Sequence, residues 1–146
     1  MTSRLFCRVT MAVLAGLFGG CASFDQHWKD ASAGHNGATR WNGKWISEKH
    51  HEDGHLRCVL EPQKGNNRVA HFHANWVIFS SNFDMTLEPV KGGPRHQALA
   101  YRGTHDLPAI FGGAYHYDAT IDGRHFAAHY TSSYDYGTFA LERVSP

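Results

Sequence analysis

Twelve histidines in 146 residues are the first chemistry this chain offers. Imidazole binds transition metals and exchanges protons near neutral pH, so groups of them decide what to look for. His50-His51-Glu52-Asp53-Gly54-His55 crowds ligand types together, but its spacing matches no closed zinc pattern and a solvated turn accounts for it. His71 and His73 are two apart and share one face of a strand, where polar alternation explains them as well as weak chelation does. His116 and His129 flank Asp122-Gly123, a two-residue hairpin signal. Counting back from that turn sets Ile121 opposite Arg124, Asp118 opposite Ala127 and His116 opposite His129. Cross-strand neighbours lie ~4.5–5.5 Å apart at Cβ. His116, His129 and Asp118 are therefore the candidate metal or pH-sensing group. The other face of the hairpin carries Tyr115, Tyr117, Phe126, Ala128 and Tyr130 and is expected to point inward.

Catalytic constellations are not found. There is no G-x-S-x-G nucleophile turn. Acidic residues are scattered over turns and outward positions. Cys58 and His55 are an odd number of residues apart, which places them on opposite faces of a strand. No glycine-rich phosphate loop opens a helix. The expectation is a protein that is not an enzyme and uses no cofactor. Outside the leader the chain holds 12 basic against 13 acidic residues, and no basic stripe, so nucleic acid is not an expected partner.

The elements that must position these side chains are strands. Arg40-Trp41-Asn42-Gly43-Lys44-Trp45-Ile46-Ser47-Glu48 alternates with period 2, with Trp41 and Trp45 on one side. Seven further runs follow, at 55–61, 68–78, 83–90, 96–103, 109–118, 124–131 and 138–144, each bounded by turn residues. No segment of the domain reads as a helix. Every connection is short enough for a hairpin, which predicts an all-β, eight-stranded antiparallel up-and-down meander closed into a barrel. The domain is assigned to residues 40–144. A two-sheet sandwich would need longer crossovers.

Residues 1–20 have the parts of a secretory signal: Arg4 and Arg8, then an apolar run from Val9 to Phe18 that is too short to span a membrane. Leu17-Phe18-Gly19-Gly20-Cys21 resembles the bacterial lipobox, with Phe18 where a smaller aliphatic residue is usual. The resemblance implies cleavage, lipidation of Cys21 and a membrane partner through that lipid. Ala22 after the cysteine implies the outer membrane of a bacterial envelope. Residues 21–39 show little apolar periodicity and read as a flexible tether. With Cys7 in the leader and Cys21 lipidated, Cys58 is left alone, on an apolar face with Leu56 and Leu60.

Gly43-Lys44-Trp45 opening an eight-strand meander, with Arg143 in the last strand, resembles the calycins, the superfamily of lipocalins, avidins and fatty-acid-binding proteins. The resemblance covers the whole domain in architecture and three or four residues in motif. It implies that Trp45 closes one barrel end beneath the Arg143 guanidinium, a favourable stack of cation on indole. It also implies a small ligand in the mouth. Trp41, Tyr101, Tyr115, Tyr117 and Tyr130 are the candidate lining, beside the small inward residues Gly43, Ala70, Ala74, Gly113 and Ala128. Three functions remain open: an envelope-anchored barrel holding a small apolar ligand, a protein-interaction or inhibitor-type barrel gripping an envelope protein, and a histidine-based metal or haem binder.

Overall fold

A computed structural model describes residues 23–91 and 98–145. The leader, Cys21 and most of the turn after the fourth strand lie outside them. Eight strands form a closed antiparallel barrel in sequence order: β1 (Thr39–Ser47), β2 (Glu52–Pro62), β3 (Arg68–Asn75), β4 (Ser80–Pro89), β5 (Leu99–Asp106), β6 (Ala114–Ile121), β7 (His125–Thr131) and β8 (Tyr136–Arg143). Closure is made by β8 on β1, with Gly43 opposite Leu141 and Trp45 opposite Phe139. Gly43 is required there, because a Cβ would collide with the backbone of Ala140 and Leu141. Gly54 serves Trp45 in the same way: the indole covers it, and a side chain at that position would meet the ring.

Alternation delivers the core. In β3, Ala70, Phe72 and Ala74 are buried, and in β6 so are Tyr115, Tyr117, Ala119 and Ile121. Phe72 and Phe126 fill the middle of the barrel, their centroids 6.0 Å apart. Trp41 packs edge-on against Phe126 at 5.9 Å. The interior is therefore solid at its waist, as an eight-stranded barrel allows.

Several boundaries differ from the sequence reading. The third run stops at Asn75, and Trp76 N donates to Phe79 O at 2.7 Å to turn the chain. Val77 and Ile78, expected to continue the strand, are 98% and 89% exposed. The sixth strand starts at Ala114, not 109. Pro108 and Gly112, the latter at φ 103°, confine the preceding residues to one tight turn.

The hairpin register also differs. Asp122 N donates to His125 O at 3.0 Å, so the turn residues are Gly123 and Arg124. The Asp122 carboxylate accepts from the backbone N–H of Arg124 and of His125, both at 2.6 Å, and it prefers that place before a turn to a place within it. The pairing shifts by two residues. His116 faces Thr131, and His129 faces Asp118.

The flexible tether is a further correction. Residues 23–32 form a helix, α1. Ser23-Phe24-Asp25-Gln26 has the Ser-x-x-Gln form of a helix start, and Gly34 ends it in the left-handed region at φ 73°. Phe24, Trp28 and Ala31 recur at i, i+4, i+7 and lie on the outer wall of β2, where they cover Val59 to 0% exposure. The Arg57 guanidinium sits 5.1 Å from the Phe24 ring and 5.3 Å from Trp28, with Arg40 at 5.4 Å from Trp28. No helix of the described residues is long and apolar enough to cross a membrane.

Candidate functional site

The barrel ends differ. One, here the mouth, gathers the loops after β1, β3, β5 and β7. The other gathers the turns after β2 and β6 with the end of β8. At the mouth the strands enclose a cavity of about 170 Å³. Its floor is aromatic: Phe139 lies 5.6 Å from Tyr117 and 5.3 Å from Tyr130. One wall is indole, with Trp45 and Trp76 at 5.3 Å, and Phe79 stacks on Trp76 at 5.0 Å. The facing wall is Phe83 beside His105, at 5.2 Å. Small Ala74 leaves the space between them.

One polar group is built into this end. Asp135 Oδ1 accepts from Ser47 Oγ at 2.6 Å and from Tyr136 N at 2.8 Å. Its Oδ2 accepts from the Tyr130 hydroxyl at 3.0 Å, which also lies 3.2 Å from Ile46 O. Ser47, the buried polar residue among those described, also accepts from His50 N at 3.0 Å. Burial pushes the Tyr117 and Tyr130 phenols well above their ordinary range, and for Tyr130 the Asp135 carboxylate adds to the effect. Tyr115 is raised by burial too. All three hydroxyls are thus neutral donors. The site offers a ring-lined slot with a few fixed polar atoms, the usual form of a small-molecule pocket.

The wall is weakest beside this slot. Most neighbouring strands pair over six to nine residues, but β4 and β5 pair only from Leu87–Gly103 to Pro89–Tyr101. Above Leu87 the two strands part toward the mouth, with Phe83 and His105 at the gap.

Of the candidate lining residues, Tyr115, Tyr117 and Tyr130 come together at the mouth with Trp45. Tyr101 and Trp41 lie at the opposite end, beside a separate depression. Arg143 stands opposite Trp41 in register, four residues along β1 from Trp45, so the expected Trp45–Arg143 stack is not made. Trp45 instead donates its indole N–H to Asn75 O at 3.1 Å. His116, His129 and Asp118 share the outer face but do not converge on one point, and Arg102 Nε holds Asp118 at 3.1 Å. The sequence pattern does not single out Asp135, Trp76, Phe83 or His105 as site residues. Asp135 does carry a signal, since Ser132 to Asp135 is a turn whose Asp precedes a strand.

The architecture and this end together define the chain as a closed eight-stranded antiparallel barrel with an aromatic pocket at one mouth. No protein-family model, no curated protein and no solved structure matches it.

Proposed function

We propose that the chain is a lipid-anchored envelope barrel that takes a small apolar or aromatic molecule into its mouth and performs no reaction on it. The observation that carries this is the open cavity walled by Trp45, Trp76, Phe83 and Phe139. Its volume is close to that of an engineered apolar cavity of ~150 Å³ that admits benzene, so one ring or the end of a short chain is the size it accepts. The Tyr117 hydroxyl suits a ligand with one polar group.

Two features support an anchored role. Of eight large apolar side chains exposed among the described residues, seven lie at the mouth, led by Val77, Ile78, Phe79 and Ile110. Clustered exposed apolar groups mark contact surfaces. Helix α1 also starts toward this end: Phe24 stacks on His73, two residues before the end of β3, while His27 stacks on His71 below it. A lipid on Cys21 would then hold the apolar rim toward the membrane, from which the ligand would come. The closed meander supports a calycin-like reading, whereas Trp45 at the mouth end of β1 departs from it. The same rim favours a second reading, a barrel that seats an apolar face of an envelope protein.

Non-fluorescent single-ring aromatics and short fatty acids, titrated into the full chain, are expected to saturate a change in tryptophan emission from Trp45 and Trp76. Ala74→Leu fills the cavity and should abolish that change while the protein still melts cooperatively. If no compound saturates, or if Ala74→Leu responds like the parent, the ligand reading fails and the partner reading stands.

A further inference from the structure

Outside the mouth, the described residues bring one set of metal-ligand side chains together, between α1 and the barrel wall. We propose that His27, Glu61 and His71 form a binding site for a divalent transition-metal ion of the zinc class, which pins α1 to the barrel. The three come from separate elements, α1, β2 and β3, and their ligand atoms lie within 4.8 Å of one another. His27 Nδ1 is 3.0 Å from Glu61 Oε1, and His71 Nε2 is 3.7 Å from Glu61 Oε2. Ligand atoms around a tetrahedral ion at 2.0–2.2 Å stand about 3.4 Å apart, so the spacing fits, and the two rings, stacked at 16°, must turn apart to direct both lone pairs at one ion.

The orientation of His71 is the decisive detail. Its Nδ1 lies 2.8 Å from Asp84 Oδ1, on the next strand. A carboxylate on one ring nitrogen is how metal-bound histidines are held, because it fixes the proton there and leaves the other nitrogen's lone pair free. With Nδ1 turned to Asp84, Nε2 is the ring nitrogen left toward the Glu61 carboxylate, 3.7 Å from Oε2. His27 brings a second imidazole to the same carboxylate.

Two imidazoles and one carboxylate are a known zinc set that leaves a position for water, and the same set suits iron(II). The His71 side chain is 12% exposed and Glu61 29%, so the site is sheltered yet reachable. The ion would tie β2 and β3 to the segment that leads back to the lipidation candidate Cys21. A helix already packed on Val59 would gain a second hold on the barrel.

The test uses the full chain stripped of metal with a chelator and titrated with Co²⁺, then Zn²⁺. The expected result is one equivalent of Co²⁺ giving visible d–d absorption that Zn²⁺ displaces. Amide-exchange protection over residues 23–32 should rise with it. His27→Ala removes a half-exposed ring on α1 and leaves the barrel core untouched, so it should fold. It should weaken binding at least tenfold and cancel the added protection, and Asp84→Asn should weaken binding by ~10-fold or more. A His116→Ala, His129→Ala double variant should bind like the parent. Absence of stoichiometric binding overturns the proposal. So does binding that survives His27→Ala, or that is lost instead on replacing His50 and His51.

Discussion

Replacing Asp135 with Ala probes the network that ties the mouth together. Three donors converge on this half-buried carboxylate: Ser47 Oγ, the Tyr130 hydroxyl and Tyr136 N. Ser47 is 2% exposed, and without Asp135 its hydroxyl loses its acceptor. A buried donor left without a partner costs about 1–3 kcal/mol. Tyr130 can fall back on Ile46 O at 3.2 Å, so its loss is smaller, about 0.5–1 kcal/mol. Tyr136 N belongs to an exposed residue and can bind water. The sum is about 1.5–4 kcal/mol, which for a domain of this size lowers the melting midpoint by roughly 6–16 °C. Urea unfolding of Asp135→Ala, Tyr130→Phe and the double variant should reveal a coupling between the two positions of about 0.5 kcal/mol or more. A midpoint within ~2 °C of the parent, or strictly additive variants, would refute the view that Asp135 is the hub of this end.

Gly43→Ala should cost about 3 kcal/mol or more by urea unfolding, since the added methyl meets β8 backbone that cannot move aside. Gly123→Ala, with open space around it, should be nearly neutral and serves as its control. Cys58 is fully buried and its thiol pKa is raised well above the ordinary value by that burial. Peptide mapping after iodoacetamide should find it unmodified in the folded protein and alkylated in denaturant. Asp122 is held below the usual carboxylate range by the Arg124 and His125 amides, so its contribution is present above its unfolded pKa and lost as pH falls through the folded one. Protection factors of the Arg124 and His125 amides, with the intrinsic pH dependence of exchange divided out, should therefore fall on acidification, and Asp122→Ala should remove that fall.

The barrel was legible because its evidence is periodic. Ala70, Phe72 and Ala74 against His71 and His73 can satisfy one inside and one outside only as a strand, and eight such runs with short turns leave closure as the way to avoid open edges. The rest depended on information that period 2 does not carry. The apolar run from Trp76 to Phe79 reads the same whether it continues a strand or forms an exposed rim; only the register of β3 with β4 separates the two. Val59 did carry a signal. An apolar residue on the otherwise polar face of β2 implies something packed outside the barrel, and the i, i+4, i+7 spacing of Phe24, Trp28 and Ala31 supplies it. Short polar residues around that spacing hid the helix. The pocket was half legible: parity placed Tyr115, Tyr117 and Tyr130 inside, but parity does not say at which end of the barrel a residue lies. That depends on strand direction, which put Tyr101 and Trp41 at the far end.

The stiff and loose parts of the barrel divide along its axis, and this bears on what the mouth can hold. The waist is filled by Phe72 and Phe126, each about 1% exposed, so the cavity floor cannot move down without breaking the core. The mouth has a seam instead. The β4–β5 ladder ends at Leu87, and above it only side chains such as Phe83 and His105 bridge the strands. Local opening is cheapest where few backbone rungs must be broken. On the proposed ligand reading, the seam would admit a ligand sideways as well as from above, while the floor would limit how deep it goes. A molecule longer than the cavity fits if one ring or chain end is buried against Phe139 and the remainder leaves past Phe83 onto the rim of Val77, Ile78 and Phe79. Depth fixes which end is recognised, and the open seam leaves the length free. That combination would suit a molecule held by one end better than enclosure of a whole small metabolite.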